Sequence, residues 1–473
     1  MRASAVFAML LTAAVAADPP DAYVDSICQA NNVAGLSACA FYGDSLLWSG
    51  TYGCKNFSYA DSMVNEETLF YLWSVTKPFN AIAFMQLWED GLVDLDADVN
   101  DYLPCSVRNP NFPDTPITPR MVLCHTSSLR AAELLLPGEL EAGDTTYTNT
   151  EYVQEVYVPG GLWYDPVANF HTWEPGTGFA YNQHRAQAVI AAIVEQVSPY
   201  SAIYDLHCRE YIFDPLGMED PSYLIESVDT MNVALPYQYS HGVYSTPYGY
   251  PSAANYAGWM LKASPMDLSR ALIAFMLGGE AYGVRILDDA TVDTIMKVQY
   301  PDLNADWGLG WRKEENFWGS GRTVWGHWGN SMATFGFNGM FFCPEENSAV
   351  IVVQNYGSPS NCKNIMNVLF DYVADQTWIE GDPVMPAWVT LHQPCPNPFP
   401  VSTTVSFELP QAADVRLDVY DFSGRLVETL VDQSMTAGEH SVVFDGSGMP
   451  SGVYLLRLQS GSGVATARVV LVR

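Results

Sequence analysis

Ser74 and Lys77 have the residue types and the spacing of a nucleophile and its base. They begin and end the segment SVTK, which follows the strand-like stretch Phe70 to Trp73 and opens an apolar helix that ends near Gly91. A spacing of three places both side chains on one face of the first helical turn. The positive helix N-terminus and a nearby ammonium favour negative charge on the hydroxyl, and a desolvated lysine has a lowered pKa. The segment therefore predicts a serine nucleophile that forms a covalent acyl-enzyme.

Two later motifs supply further groups of the same kind of site. EPGTGFAYNQ spans residues 174–183, and WGHWGN spans residues 325–330. In this order the three motifs resemble those of the serine β-lactamase and penicillin-binding-protein superfamily, specifically its class-C-like and esterase-like branch, which carries S-x-x-K, Y-x-N and then K-T-G or H-x-G. The stretches LCHTSSL (123–129), SPMDL (264–268) and WGLGW (307–311) extend the resemblance over about residues 25–375.

The resemblance implies a fold and a set of catalytic roles. The fold is α+β, the two-subdomain serine β-lactamase-like fold, in which an antiparallel sheet flanked by helices packs beside a helical subdomain. Ser74 attacks the carbonyl, Lys77 shares its proton, and Tyr181 is the second acid/base group. The backbone N–H groups of Ser74 and Asn330 form the oxyanion hole. An ordinary half-buried tyrosine is the alternative for Tyr181.

The resemblance also implies substrate-binding positions. Gln183 hydrogen-bonds Lys77 or the substrate, His327 and Trp328 line the pocket, and Gly329 lets the substrate lie close against an edge strand. For His327 the alternative is a structural histidine beside a strand, and His125 matches a supporting turn of the family. Neither the motifs nor the resemblance implies a cofactor. Without a C-x-x-C or H-E-x-x-H motif, no metal site is predicted.

Four positions depart from the family pattern. Gln183 stands where the family has an asparagine, and Ser128 replaces a common glycine, which matters if the turn needs a positive φ. His327 replaces the lysine of K-T-G and is mostly neutral near pH 7, while bulky Trp328 adds an apolar wall. These changes favour neutral esters or amides over anionic substrates, and we expect β-lactam turnover to be slow or absent.

Composition limits the partners that the protein can bind and indicates the compartment in which it works. The net charge is −32, with 53 acidic and 21 basic residues, which argues against nucleic acid and anionic membrane surfaces as partners. Residues 1–17 are typical of a secretory signal, and no later segment is apolar for long enough to span a bilayer. Nine cysteines in an exported chain indicate some disulfides, with Cys105–Cys124 and Cys343–Cys362 as plausible pairs.

The elements that must position the motifs come from both ends of the catalytic domain, expected over residues 18–376. Strand patterns occur at 36–52 around a turn and again at 335–342 and 349–354. Helical patterns cover 78–89, 185–197, 266–277 and 362–374. One sheet built from both ends of the chain, with a mostly helical insertion beside it, accounts for this distribution.

A second domain is expected over residues 396–473, after a proline-rich linker at 377–395. Short alternating strands at 405–409, 415–419, 442–444, 453–458 and 467–472 predict a small all-β, Ig-like sandwich. The stretches PNPF (396–399), TTVSF (403–407), YDFSG (420–424) and SGVYLLRL (451–458) resemble type IX secretion sorting domains. That resemblance implies export through the periplasm to the cell surface or medium and contact with the sorting machinery. A generic adhesion or spacer sandwich is the alternative.

Three functions remain open on the sequence. The first is a serine acyl hydrolase for a small ester, amide or peptide, with an esterase or D-stereospecific peptidase slightly ahead of a β-lactamase. A DD-carboxypeptidase belongs to the same group. The second is a penicillin-binding protein that acylates but barely turns over, and the third is a non-catalytic binding protein on the same fold.

Overall fold

The computed structural model describes residues 20–59, 62–130, 140–181, 184–199, 203–247, 249–330, 335–377, 390–391, 394, 396–409, 412–421, 425–460 and 463–472. The chain divides into two units, Met1–Trp378 and Ile379–Arg473. The expected signal segment, most of the expected linker, and Gln183 lie outside the described residues.

The larger unit is built on a six-stranded antiparallel sheet. Its strands are β1 (Gly35–Tyr42), β2 (Ser45–Gly53), β3 (Arg312–Glu314), β4 (Val324–Asn330), β5 (Phe337–Cys343) and β6 (Ser348–Gln354). Their spatial order is β3-β4-β5-β6-β1-β2, so β1 from the start of the unit pairs with β6 from its end. The prediction of one sheet made from both ends of the chain is confirmed.

Both faces of this sheet are covered, because its strands carry apolar residues on alternate sides. On β1, Leu36 and Ala38 belong to one buried cluster, and Cys39 and Phe41 belong to another. The first cluster includes residues of the helices Asp21–Ala30 and Pro359–Thr377. The second includes residues of the helices Lys77–Glu89 and Pro265–Met276. The nine α-helices among the described residues are α1 (Asp21–Ala30), α2 (Lys77–Glu89), α3 (Pro119–Leu123), α4 (Asn149–Tyr157), α5 (Gln187–Val197), α6 (Tyr204–Cys208), α7 (Pro265–Met276), α8 (Asp289–Met296) and α9 (Pro359–Thr377).

Four of these helices lie within three residues of their predicted bounds, because each carries apolar residues at three-and-four spacing. The strand-like stretch before Ser74 is shorter than expected. Only Phe70–Tyr71 is a strand, paired with Lys262–Ala263. Trp73 has a φ of +52° and begins a 3₁₀ turn, Trp73–Thr76, that leads into α2. None of the helices in the described part of the chain combines the length and apolar character needed to cross a bilayer.

Short strand pairs complete the larger unit: Leu140–Ala142 with Pro251–Ala253, Gln238–Ser240 with Val243–Ser245, and Glu280–Ala281 with Val284–Arg285. Each of these pairs is antiparallel and no strand in them exceeds three residues. Their backbone hydrogen bonds connect loops that lie outside the main sheet.

The expected disulfides are not formed. All eight cysteines of the described residues are free thiols, and Cys395 lies outside that part of the chain. Cys124 donates through sulfur to the Gly308 carbonyl at 3.4 Å, and Cys362 donates to the Val352 carbonyl at 4.0 Å. The suggested pairs Cys105–Cys124 and Cys343–Cys362 are therefore wrong, because neither pair of sulfur atoms is joined in the fold.

The smaller unit is a sandwich of two antiparallel sheets, as predicted. One sheet has three strands, in the order Thr390–Leu391, Ser402–Leu409 and Gly438–Asp445. The other has four strands, in the order Leu426–Met435, Ala413–Asp421, Gly452–Ser460 and Gly463–Leu471. Side chains such as Val405, Leu417 and Leu456 fill its core. The sequence analysis missed the strand Leu426–Met435, which buries only one side chain and lacks a clear alternation. The strands are β7 (Thr390–Leu391), β8 (Ser402–Leu409), β9 (Ala413–Asp421), β10 (Leu426–Met435), β11 (Gly438–Asp445), β12 (Gly452–Ser460) and β13 (Gly463–Leu471).

Candidate active site

Ser74 lies in the 3₁₀ turn that precedes α2, and Lys77 is the first residue of that helix. The turn is held in place because the Leu72 N–H donates to the Leu261 carbonyl at 2.9 Å. The Lys77 Nζ donates to the Ser74 Oγ at 2.7 Å. The spacing of three residues thus brings the two side chains into direct contact, as the sequence predicts.

Lys77 is completely buried, and this burial lowers the pKa of its amine well below the ordinary value. A second hydrogen bond runs from the same nitrogen to the Gly258 carbonyl at 3.1 Å. Because a carbonyl is neutral, it orients the nitrogen without stabilising its charge as a carboxylate would. Burial therefore favours the neutral amine, which is the form whose lone pair can accept the proton of the Ser74 hydroxyl.

Tyr181 completes the group around the nucleophile. It is hydrogen-bonded through its side chain to Ser74, and its ring centroid lies 5.5 Å from the Lys77 Nζ. Burial raises the pKa of the phenol, although the hydrogen bond with Ser74 opposes this shift. The phenol is therefore protonated at neutral pH. Its ring stacks on Trp307 at 5.4 Å and lies tilted against His125 at 4.6 Å.

The turn over residues 124–129 holds the loop that carries Tyr181 through backbone hydrogen bonds. The Ala180 N–H donates to the His125 carbonyl at 3.0 Å, and the Gly176 N–H donates to the Thr126 carbonyl at 2.7 Å. His125 and Ser128 both have positive φ, +61° and +60°. Ser128 therefore occupies the left-handed conformation that a glycine adopts without strain. Its Oγ accepts a hydrogen bond from Asn109 Nδ2 at 2.9 Å.

His327 points from β4 toward the same group. Its ring centroid lies 6.1 Å from that of Tyr181 and 5.6 Å from that of Trp307. The Nδ1 lies 2.6 Å from the Trp328 carbonyl, and because a carbonyl only accepts, Nδ1 carries the proton. Burial, followed by the nearby Lys77, lowers the pKa of His327 to about 3. The ring is therefore neutral, and its Nε2 is an acceptor with no hydrogen-bond partner among the described residues.

Trp328 lies on the cavity border, but its indole does not form the expected apolar wall. Successive side chains of a strand point to opposite faces, so Trp328 points away from His327. Its Nε1 donates to Glu314 at 2.6 Å, and its ring packs against Phe341 at 4.4 Å and Phe317 at 5.8 Å. The side chain belongs to the core between the sheet and α9.

Gly329 is required by packing within the protein. A Cβ at this position would lie 2.1 Å from the Leu72 carbonyl oxygen and 3.2 Å from a methyl group of Val75. Strand β3 pairs only with residues 324–326 of β4, so among the described residues the segment that carries Gly329 is paired on one side only, with β5. The missing side chain lets β4 contact the backbone of the nucleophile turn directly.

Ser74, His327 and Asn330 line one cavity of about 430 Å³, a volume suited to a small-molecule site. Asn330 is exposed at the last position of β4. Among the described residues, no cluster of His, Cys, Asp or Glu could hold a metal ion. The full lining is Ser74, Phe179, Tyr181, Asn304, Asp306, Trp307, Arg312, His327, Trp328 and Asn330.

Four of these lining residues were not identified from the sequence. Asn304 and Asp306 precede the stretch WGLGW, and Arg312 follows it. Phe179 lies two residues before Tyr181. The stretch WGLGW, recognised only as a supporting motif, was the available signal, because Trp307 stacks on Tyr181 and brings its neighbours into the cavity wall.

Residues 20–370 match the family model described as Beta-lactamase. The chain belongs to the β-lactamase family. It is 26% identical over 259 residues to the human (Homo sapiens) putative beta-lactamase-like 1, covering 53% of this chain and 47% of the relative. It is 28% identical over 240 residues to esterase EstB of Burkholderia gladioli, covering 49% and 57%. The chain thus spans about half the length of these curated relatives.

Solved structures share the fold. A penicillin-binding protein homologue from Pyrococcus abyssi has a TM-score of 0.61 at 19% identity, over 94% of this chain and 89% of that one. The D-amino acid amidase from Ochrobactrum anthropi has a TM-score of 0.57 at 22% identity, over 75% and 96%. Residues 395–472 match the model of the secretion system C-terminal sorting domain.

Proposed function

We propose that this protein is a serine hydrolase that cleaves esters or amides through an acyl-enzyme on Ser74. The observation that carries the proposal is the 2.7 Å hydrogen bond between the Lys77 Nζ and the Ser74 Oγ at a lysine that is completely buried. Burial favours the neutral amine, which is the form that accepts a proton. A binding protein with no chemistry gains nothing from an uncompensated buried lysine, whose desolvation is costly.

The proposed reaction follows from the contacts of Ser74. Lys77 accepts the hydroxyl proton as the Ser74 Oγ attacks the carbonyl carbon. The Ser74 and Asn330 N–H groups bind the oxyanion. Tyr181, protonated at rest, passes a proton to the leaving group and is restored by the Lys77 ammonium. In deacylation, water attacks the ester carbonyl, and its proton returns through Tyr181 and Lys77 as Ser74 leaves.

Three features support neutral carbonyl substrates over strongly anionic ones. His327 is neutral where the family lysine would be a cation, and its Nε2 accepts hydrogen bonds. Arg312 is the cationic side chain among the described residues that line the cavity, and it is already paired with Glu314 at 3.2 Å. Relatives of this chain include proteins named as esterases, and its structural neighbours include a D-amino acid amidase.

The proposal extends to the location of the protein. The match to a secretion system sorting domain at residues 395–472 supports delivery to the cell surface or medium. The sorting machinery would be the partner of this domain, and the secretory signal expected at residues 1–17 would direct the first step into the periplasm.

The test is hydrolysis of p-nitrophenyl acetate and of a chromogenic cephalosporin by wild type and Ser74→Ala. Ser227→Ala, at an exposed serine outside the cavity lining, is the matched control. We expect ester turnover that is lost in Ser74→Ala, kept in Ser227→Ala, and far faster than cephalosporin turnover. A stable cephalosporin adduct with little turnover would favour a penicillin-binding function. Turnover that survives in Ser74→Ala would contradict the proposal.

A further inference from the structure

Two charged residues, Arg312 and Asp306, lie in the cavity wall with the nucleophile, and they differ in how their charges are compensated. The Arg312 guanidinium lies 3.2 Å from Glu314, whose carboxylate also accepts a hydrogen bond from the Trp328 indole at 2.6 Å. The Glu314 carboxylate is therefore fixed beside the guanidinium. The arginine charge is thus partly offset by Glu314, although it still acts to lower the pKa of Tyr181 and of His327.

The Asp306 carboxylate has no counter-ion. Within the described part of the chain it makes neither an ion pair nor a side-chain hydrogen bond. The neighbouring cation Lys313 is paired with Glu315 instead. Asp306 therefore presents an uncompensated negative charge to the cavity.

The backbone around this carboxylate is fixed. The Asp306 N–H donates to Asn304 Oδ1 at 2.8 Å, and its carbonyl accepts from the Lys313 N–H at 2.8 Å. The next residue, Trp307, is buried and stacks on Tyr181. The backbone that carries the carboxylate therefore needs little ordering when a ligand binds, which lowers the entropic cost of binding.

The other polar groups of the site do not cancel this charge. The Lys77 amine is desolvated and bonded to Ser74, Tyr181 is protonated, and His327 is neutral. A cationic group is therefore the ligand group that complements the Asp306 carboxylate. A single carboxylate is too few ligands for Ca²⁺ or Mg²⁺, which need several oxygen atoms. An ammonium group needs only one close carboxylate.

We propose that Asp306 is a specificity-determining residue that binds an ammonium group of the substrate. The preferred substrates are then esters or amides of amino acids with a free amino group. The inference rests on the proposed hydrolase function, because Asp306 and Ser74 line the same cavity and the ammonium must be part of the acyl group or its leaving group.

The kinetic test compares the methyl esters of phenylalanine, as both enantiomers, with the methyl ester of 3-phenylpropanoic acid, which lacks only the amino group. Wild type should favour one amino ester by about tenfold in kcat/KM. Asp306→Asn should bring this ratio close to one, whereas Asp302→Asn, at an exposed aspartate outside the lining, should preserve it. An unchanged ratio in Asp306→Asn, or no amino preference in wild type, would overturn the proposal.

A binding test separates this inference from the hydrolase proposal. Calorimetry with Ser74→Ala should show phenylalaninamide binding about tenfold more tightly than 3-phenylpropanamide. Adding Asp306→Asn should abolish the difference, and adding Asp302→Asn should not. Equal affinities in Ser74→Ala, or no binding of the amine at millimolar concentration, would refute the ammonium site. Binding with this preference but no Ser74-dependent turnover in wild type would refute only the hydrolase.

Discussion

The contact between β4 and the nucleophile turn leads to a specific prediction for Gly329→Ala. The added Cβ would lie 2.1 Å from the Leu72 carbonyl oxygen, more than 1 Å inside ordinary contact. The atom in the way is a backbone oxygen, and two hydrogen bonds restrain the backbone around it. The Leu72 N–H donates to the Leu261 carbonyl, and Asn338 Nδ2 donates to the adjacent Tyr71 carbonyl at 2.8 Å. We therefore expect β4 to move away from the turn.

Two effects of this displacement can be estimated. Overpacking of a rigid site costs about 1–3 kcal/mol of unfolding free energy. Because Asn330 follows Gly329 on β4, the oxyanion N–H moves too, and loss of one such donor costs roughly 100-fold in kcat. A glycine needed only for substrate contact would instead lower kcat/KM and leave stability unchanged.

The assay combines urea unfolding, followed by tryptophan fluorescence, with ester kinetics. Gly448→Ala is the matched control, because its Cβ would meet open space and its φ lies outside the left-handed range. Gly329→Ala should lose both stability and kcat, while the control should match wild type. Wild-type stability together with wild-type kcat in Gly329→Ala would refute the packing argument.

Three further predictions concern the site and its support. Ser128→Ala and Ser128→Gly both lose the hydroxyl that accepts a hydrogen bond from Asn109, but only alanine keeps a side chain at the positive φ. The alanine variant should therefore be less stable than the glycine variant by about 1 kcal/mol in urea unfolding. Equal stabilities would argue against backbone strain at this position. The pKa of His327 falls from 6.5 to about 3 on folding, so its stabilising effect is complete above pH 6.5 and is lost as the pH falls toward 3. Its share of the unfolding free energy should fall by about 1.4 kcal/mol per pH unit in that range, and His327→Asn should remove this slope; an unchanged slope would contradict the buried neutral ring. Because Lys77 acts as a neutral amine, kcat/KM should rise with pH through the lowered pKa of Lys77 and reach its plateau well below pH 10.5, whereas Lys77→Met should lose at least about 100-fold; a limb near 10.5 would contradict the desolvated base.

The sequence identified the parts of the fold that depend on short-range patterns. Apolar stripes located α2, α5, α7 and α9, and turn residues separated the strand pairs. Strand β10 escaped because it buries few side chains, so its pattern carries no alternation. The disulfide expectation failed for a different reason, since closeness in sequence says nothing about whether two thiols face each other in the fold.

The site was predictable where one turn of helix fixes the geometry and less so where distant loops meet. The contact between Ser74 and Lys77 follows from their spacing alone. The opposite orientations of His327 and Trp328 follow from the alternation of side chains along a strand. The prediction that both side chains line the pocket did not take this alternation into account. Asp306 and Arg312 reach the cavity only because Trp307 stacks on Tyr181, a long-range contact that local patterns do not reveal.

The central claim, that Lys77 activates Ser74 for covalent catalysis, is tested most directly by trapping the acyl-enzyme. Wild type, Ser74→Ala and Lys77→Met would be mixed with p-nitrophenyl acetate, quenched in acid within the first turnover, and analysed by intact mass and peptide mapping. We predict one acetyl group on wild type, located on Ser74, none on Ser74→Ala, and a much slower appearance on Lys77→Met. Acetylation at another residue, or turnover with no adduct at any quench time, would contradict the account.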